Sequence, residues 1–190
     1  MPDVVLIEDT HTYMVDGTER PSVTKIIKSS GLMGYLPDDE YYLLRGQYIH
    51  EALELYLHNA LDVDSLSYGI RGFVESGILY MDHTGYKPTH TELMLYDPVY
   101  QYCGKPDGVP LLDWKSGGKE HWHILQMAAY DNLLKVNKIP SAGMPLNVHL
   151  RADGKMPKVE PYKAAELKDA LKVFLSGLLL FGWKKERGLL

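Results

Sequence analysis

The chain has 190 residues, of which 45% are hydrophobic and 24% are charged, an ordinary composition for a globular protein. This length is enough for one domain with a sizeable core, and no stretch of the sequence is apolar and long enough to predict a membrane span. The formal net charge of −5 argues against a protein that coats nucleic acid through charge alone, but it is compatible with a carboxylate metal site.

The cysteine content and the N-terminal residues further limit the kinds of site and the cellular location that the sequence predicts. Cys103 is the only cysteine, which excludes an intramolecular disulfide and an iron–sulfur cluster held by four thiolates. We expect its thiol to be buried and inert. The N-terminal residues are acidic where a signal peptide needs basic ones, so we expect a cytoplasmic protein, in the host cytoplasm if a phage encodes it.

The first predicted unit is a hairpin followed by a short helix, over about residues 1–36. Asp16-Gly17 is a strong turn signal between short alternating strands. Pro21 and Ser22 predict the start of a helix that ends at Gly31. The chain shows no repeat and no linker, so we expect this unit to pack on the core of a single domain spanning residues 1–190.

Two helices are predicted next. Asp38 or Asp39, just after Pro37, can cap a long helix. Its apolar residues at helical spacing are Leu44, Ile49, Leu53, Leu57 and Ala60. The second helix is predicted from about residue 65 to residue 80, and its inward residues are Leu66, Ile70, Phe73 and Val74.

The pattern changes to strands after Pro88. Residues 91–96 alternate like a strand, residues 99–107 like its hairpin partner, and residues 111–115 form a third strand. A helix over 121–136, a strand over 146–151 and a helix over 162–187 follow. This order predicts an α/β fold with one central mixed β-sheet flanked by helices.

Two carboxylates and two lysines stand out in the segment GKPDGVPLLDWK. If residues 109–111 form a three-residue loop, Asp107 lies opposite Asp113 and Lys105 opposite Lys115, all on one face. Facing carboxylates repel unless a cation or a proton lies between them, and oxygen ligands of this density suit Mg²⁺ or Mn²⁺. Lys115 can then approach the attacking water and the phosphate.

The DxK pattern alone is weak, because similar fragments occur by chance. Asp153-Gly154-Lys155 is typical of a turn, and Glu166-Leu167-Lys168 of an exposed helix face. Only Asp113-Trp114-Lys115 follows an apolar strand start and an upstream Gly-x-Pro-Asp. We therefore predict that the catalytic fragment is Asp113-Trp114-Lys115.

Five elements occur in a fixed order between about residues 45 and 130. They are the segment Gly46–Glu54 with His50, then Glu92, Asp107 in GKPDG, Asp113-Trp114-Lys115, and Gln126 with Tyr130. Together they resemble the PD-(D/E)XK nuclease superfamily in its RecB-like exonuclease branch, with its GxxxHxxxE and QxxxY helices. The opening segment, residues 11–32, resembles small stand-alone phage and mitochondrial members.

The resemblance implies a restriction-endonuclease-like core of element order αβββαβ and one or two Mg²⁺ or Mn²⁺ ions. The implied metal ligands are His50, Asp107, Asp113, the backbone carbonyl of Trp114 and, as a further ligand, Glu92. The implied catalytic residues are Lys115, which orients or activates water, with Asp113, Asp107 and Glu92, and with Gln126 and Tyr130, which position the phosphate backbone.

Each residue also has a structural explanation. His50 and Glu54 could be a helix surface pair, Glu92 an exposed strand residue, and Gln126 and Tyr130 ordinary helix packing. The Asp107–Asp113 spacing is short for the family. The sequence has no GxxxxGK[ST] motif and hence no helicase motor of its own.

Nucleic-acid contacts are expected from basic and aromatic residues. The contact candidates are Arg45, Tyr48, Gln126, Tyr130, Lys105 and Lys119, and the candidate basic strip adds Lys25, Lys28 and Lys115. Tyr41, Tyr42 and Tyr48 are candidates for stacking on unpaired bases.

His121 and His123 are interpreted as a helix start close to DNA or as solvated residues. The apolar last helix indicates core packing or a partner surface.

These patterns favour a metal-dependent DNA exonuclease of phage or bacterial DNA replication, recombination or repair. Its substrate would be DNA that is single-stranded or has free ends, with a recombinase, helicase or single-strand-binding protein as a possible partner and no membrane. Two alternatives stay open. One is a structure- or sequence-selective endonuclease, and the other is a non-catalytic DNA-end-binding recombination accessory protein.

Overall fold

The computed structural model describes residues 3–7, 10, 12–33 and 40–190, with only the backbone of residue 40. The N-terminal unit is a three-stranded antiparallel sheet of β1 (Val4–Ile7), β2 (Thr12–Val15) and β3 (Thr18–Arg20). Asp16 and Gly17 join β2 to β3 with φ of 48° and 77°, the two positive values of the predicted tight hairpin turn.

The short helix α1 (Val23–Ser29) follows as predicted. The Ser22 hydroxyl caps it by accepting a hydrogen bond from the amide of Lys25 at 3.1 Å. Gly31, at φ 77°, redirects the chain after it. The apolar side of α1 packs against the helices over residues 123–136 and 164–186, and this contact holds the N-terminal unit on the core.

Helices α2 (Glu40–Leu57) and α3 (Tyr68–Thr84) form one layer, joined through a 3-10 turn at Val63–Ser65. Of the apolar residues predicted at helical spacing, Ile49 and Leu53 are buried, Leu44 is 38% exposed, and Ala60 lies beyond the end of α2. Asp38 and Asp39, the predicted caps, lie outside the described residues.

The second helix, α3, begins and ends about three residues later than predicted. It ends at Gly85, whose φ of 68° provides the left-handed C-cap. Its predicted inward residues Phe73 and Val74 are buried, as is Leu66 just before it, while Ile70 is half-buried. The predicted helical face is therefore right although its bounds are shifted.

The central sheet is five-stranded and mixed. Its strands are β4 (His90–Thr91), β7 (Gly108–Val109), β8 (Leu112–Lys115), β9 (Leu146–His149) and β10 (Lys158–Pro161), in the spatial order β10-β9-β8-β7-β4. Only β8 and β9 are parallel, and α4 (His123–Val136) provides the crossover between them. The prediction of a central mixed sheet flanked by helices is confirmed.

Residues 91–96 do not form the single predicted strand. The segment divides between β4 and β5 (Leu95–Asp97), and β5 pairs with β6 (Tyr102–Gly104) in a separate two-stranded sheet. The predicted partner, residues 99–107, is likewise reduced to β6 by a turn around Gln101. The predicted Lys105–Lys115 opposition is wrong, because β7 begins only at Gly108 and Lys105 lies between the two sheets, outside the pairing of β7 with β8.

The loop between β7 and β8 matches the prediction more closely. Gly108 pairs with Leu112, which is the register that a three-residue loop over 109–111 produces. The side chains of Leu112 and Trp114 then point to the α2–α3 layer, and Asp113 and Lys115 to the opposite face.

The opposite face of the sheet is covered by α4 and α5 (Ala164–Glu186), with α1 packed against both. Tyr102, Leu133 and Phe174 are fully buried in this second core. Helix α4 begins two residues after the predicted start, so His121 precedes it. No helix within the described ranges has the length and apolar character needed to cross a membrane.

Candidate active site

A cleft of about 910 Å³ opens on the face of the sheet that carries Asp113 and Lys115. Its walls come from four parts of the chain: α2, the segment before β7, the start of α4, and the N-terminal unit through Tyr13 and Ser22. The five elements that the sequence singled out all contribute residues to this one cleft.

Three candidate metal ligands meet at one end of the cleft. Ligand atoms of His50, Glu92 and Asp107 all lie within 4.8 Å of one another. The Nδ1 atom of His50 is 3.2 Å from Oδ1 of Asp107. An imidazole and two carboxylates at this separation could hold a divalent metal ion.

The backbone of Trp114 connects this cluster to the sheet. Its amide donates to Oδ2 of Asp107 at 2.7 Å, and its carbonyl oxygen is 3.1 Å from Nε2 of His50. The indole lies on the opposite face, edge-on to the rings of Tyr80 and Tyr86 with centroids 5.8 Å and 6.3 Å away. The buried indole thus fixes the position of the backbone carbonyl that is expected from the sequence to be a ligand.

Charge at the cluster favours a cation. Burial lowers the pKa of His50, but Asp107, Asp113 and Glu92 outweigh burial and raise it to about 9. Burial raises the pKa of Asp107, yet the His50 ring and the Trp114 amide bring it below its usual value. Without a metal, His50 is therefore a cation among carboxylates, and its proton supplies part of the positive charge that an ion would supply.

Glu92 reaches the cluster from an unusual backbone position. It directly follows β4 with φ 48°, a left-handed conformation that is uncommon for a residue other than glycine, asparagine or aspartate. Its Oε2 atom is 2.5 Å from Nζ of Lys105. Burial, followed by the charge of Asp107, raises the pKa of Glu92 to about 6. Glu92 is thus not the exposed strand residue of the alternative explanation.

A second set of polar residues lies beside the metal cluster. The carboxylate of Asp113 pairs with the ammonium of Lys115, which donates to Oε1 of Gln126 at 2.6 Å. The Gln126 amide in turn donates to the hydroxyl of Tyr130 at 3.1 Å. Burial raises the pKa of Asp113 despite the nearby lysine. The chain Asp113–Lys115–Gln126–Tyr130 therefore holds the lysine in one position in the cleft.

The candidate nucleic-acid contacts divide into two groups. Arg45, Lys105 and Lys115 line the cleft, whereas Lys25, Lys28 and Lys119 do not. Lys25 pairs with Glu19 and Lys119 with Glu160. The predicted continuous basic strip is therefore only partly present in the cleft.

Arg45 is held by a hydrogen bond and by two aromatic rings. Its guanidinium donates to the backbone oxygen of Ser116 at 3.2 Å and lies 4.9 Å from the ring centroids of both Tyr42 and Phe73. Tyr42 is 51% exposed at the rim of the cleft. Tyr41 and Tyr48 are also exposed but do not line it.

The sequence missed a polar face next to Lys115. The parallel register places Asn147 beside Asp113 and His149 beside Lys115. Asn147 is fully buried and donates to the hydroxyl of Tyr162 at 2.9 Å. His123 is 3% exposed, so its interpretation as a solvated residue is wrong. Asn147, a polar residue inside the apolar strand LNVH, could have indicated this polar face. The sequence alone does not give the register of β8 and β9, which places Asn147 beside Asp113.

Other buried groups behave as predicted. Cys103 is fully buried, and burial raises the pKa of its thiol to about 12. Within α5, Phe174 and Phe181 are core residues, while Val173 and Leu179 are exposed. The predicted core packing of the last helix is confirmed, and its role as a partner surface stays a prediction.

Comparison with known proteins supports the fold. No protein-family model and no curated protein matches the sequence. Among solved structures, the fold is similar to that of a putative exonuclease from Eubacterium rectale, with a TM-score of 0.56 and 12% sequence identity. The match covers 92% of this chain and 78% of the other. At this identity the likeness establishes the α/β fold and leaves the chemistry to the site.

Proposed function

We propose that the protein is a Mg²⁺- or Mn²⁺-dependent DNA exonuclease that acts in DNA replication, recombination or repair of a phage or bacterium. The observation that carries the proposal is the cleft itself. It holds a ligand set of His50, Glu92 and Asp107 next to a lysine anchored between Asp113 and Gln126.

The residues present divide the work of phosphodiester hydrolysis. A bound Mg²⁺ or Mn²⁺ would lower the pKa of a coordinated water and neutralise charge on the phosphate. His50, Glu92, Asp107, Asp113 and the Trp114 carbonyl would hold the ion. Lys115 would orient the water and stabilise negative charge on the phosphate, because Gln126 and Asp113 fix its ammonium at the cleft.

The cleft also accounts for DNA binding by an acidic protein. The net charge of −5 describes the whole chain, whereas Arg45, Lys105 and Lys115 are local to the cleft. Tyr42 at the rim offers a face on which an unpaired base can stack. These features support a DNA strand with a free end as the substrate.

The test is digestion of end-labelled single- and double-stranded DNA, with either end blocked, in Mg²⁺, Mn²⁺ or EDTA. The wild-type protein should release short products from one end and be inactive in EDTA. Lys115→Met should lower the rate by on the order of 10²–10⁴-fold, and circular dichroism should show that the variant remains folded although the loss of the Asp113 partner lowers its stability. Lys168→Met is the matched control, because it makes the same change in the exposed Glu166-Leu167-Lys168 fragment.

Two outcomes would replace the proposal by its alternatives. Cleavage of closed circular single-stranded DNA would identify an endonuclease, since a circle has no end. Binding without cleavage in Mn²⁺ across all substrates would indicate a DNA-end-binding accessory protein. Full activity of Lys115→Met would contradict the assigned site whatever the substrate.

A further inference from the structure

His123 lies in the cleft on the side of Lys115 that is remote from the metal ligands. It opens α4 one turn before Gln126, and its ring packs 4.4 Å from Trp122 and 5.9 Å from His149, measured between centroids. Glu92 and Asp107 belong to the β7–β4 side of β8, whereas His149 belongs to β9 on the other side. Lys115 on β8 therefore separates the metal cluster from His123.

The proton of the His123 ring is placed by a backbone contact. The amide of Glu120 donates to Nδ1 at 3.3 Å, so the neutral ring carries its hydrogen on Nε2. Burial, followed by the charges of Lys115 and His149, lowers the pKa of His123 to about 3, which keeps the ring neutral. Nε2 is thus a hydrogen-bond donor.

Lys115, His149, Lys119 and Glu160 act on this ring, and no described residue accepts a hydrogen bond from the donor. The acid of this region, Glu160, already contacts Lys119 and lies 3.2 Å from Nε2 of His149. A buried imidazole that lines a cleft next to a lysine, with a free N–H and no carboxylate partner, is suited to an anionic ligand.

We propose that His123 is a substrate-contacting residue whose Nε2–H donates to a non-bridging oxygen of the DNA phosphate adjacent to the one that is cut. The inference rests on the proposed function, because the neighbouring phosphate is defined by cleavage beside Lys115. It extends the DNA path from the metal cluster across β8 to β9. The contact adds affinity without adding charge, so it is separable from contacts made by lysine and arginine.

The test compares His123→Phe, which fills the space without a donor, with His123→Gln, which retains one. The matched control is His121→Phe, two residues away and exposed. Binding of a labelled single-stranded oligonucleotide is measured in Ca²⁺ over a range of salt concentrations, and cleavage is measured in Mn²⁺. We expect His123→Phe to weaken binding by roughly tenfold or more, the effect of one hydrogen bond to a charged group. His123→Gln and His121→Phe should bind within about twofold of wild type, well inside that effect.

The salt dependence identifies the kind of contact. Each phosphate neutralised by a protein cation contributes about −0.7 to the slope of log K against log salt for a single strand. A neutral imidazole releases no counterion, so His123→Phe should bind more weakly with the slope unchanged. A slope that falls together with the affinity would show that the substitution disturbs Lys115 and would overturn the proposal.

A modified DNA locates the contact along the strand, and His123→Leu, which also lacks a donor, takes the place of His123→Phe in both experiments if the phenylalanine variant is poorly folded. Single phosphates on either side of the cut are replaced by uncharged methylphosphonate, one position at a time. At one position, the modification should weaken binding by wild type and by His123→Gln to the same extent. The same modification should weaken binding by His123→Phe only slightly, because that variant already lacks the contact. Equal losses for wild type and His123→Phe at every position would overturn the contact. A wild-type protein that binds DNA but does not cleave it would refute the proposed function and leave the binding comparison valid.

Discussion

The proton on His50 should make the metal-free protein lose stability as pH rises. The pKa of this ring is raised from 6.5 to about 9 in the folded protein by Asp107, Asp113 and Glu92 acting against burial. The folded state therefore binds the proton more tightly than the unfolded chain. This stabilisation is fully present below pH 6.5 and is lost as pH rises through 9.

The magnitude follows from the two pKa values. Each unit of difference corresponds to about 1.4 kcal/mol, which gives about 3.5 kcal/mol for the full interval. The His50 side chain is 31% exposed, so water screens part of the interaction and we expect about 2 kcal/mol. Because Mn²⁺ must displace this proton to use the ring as a ligand, its own stabilising effect should grow over the same interval.

The assay is urea unfolding in EDTA at pH 6.5 and pH 9.5 for wild type and for His50→Gln. The difference between the two proteins reports His50 together with its effect on Glu92 and Asp107, since the titrating groups outside this cluster are shared. Wild type should lose about 2 kcal/mol more than the variant over this interval. Equal losses would mean that His50 is not protonated between these carboxylates, and the proposed position of the cation would then lack its electrostatic basis.

Three further expectations test the packing around the site. Alanine at Gly72 would place its Cβ 1.9 Å from the backbone oxygen of Ala152, so we expect a loss of about 3 kcal/mol or more in urea unfolding, and near wild-type stability would contradict this close approach. Phe174→Ala removes a buried ring 5.0 Å from that of Tyr102 and should cost about 3–5 kcal/mol; a cost below about 1 kcal/mol would mean that the core refills the space. Cys103 should not react with a thiol reagent at pH 8 until the protein unfolds, because burial raises its pKa to about 12, and fast labelling of native protein would disprove that burial.

Local chemistry made several elements predictable. The Asp16-Gly17 turn requires two residues that tolerate positive φ, and few other sequences provide them. A loop over 109–111 was predictable from the spacing of Asp107 and Asp113, because a three-residue loop places both carboxylates on one face of the hairpin. Gly108 does pair with Leu112, as this loop requires. The grouping of residues from α2, β8 and α4 came from the superfamily resemblance, since no local pattern brings them together.

Non-local pairing explains what was missed. Periodicity in residues 91–96 indicates extended chain but not which strand it joins, and the segment contributes to two different sheets. Edge strand β10 pairs only with β9 and carries Pro161, so its pattern lacks the alternation of a half-buried strand. The role of His123 was hidden for the same reason, because its neighbours Lys115 and His149 depend on the β8–β9 register.

The wall of the cleft formed by the N-terminal unit has a consequence for folding. Tyr13 and Ser22 line the cleft, yet α1, which follows them, is held by α4 and α5, and Nζ of Lys184 donates to the carbonyl of Ser29 at 2.5 Å. The first and last parts of the described chain are therefore neighbours, and closing so long a loop is slow. The wall of the cleft at Tyr13 and Ser22 therefore depends on α5, a helix that contributes no lining residue itself, so that loosening α5 should open the cleft from a distance.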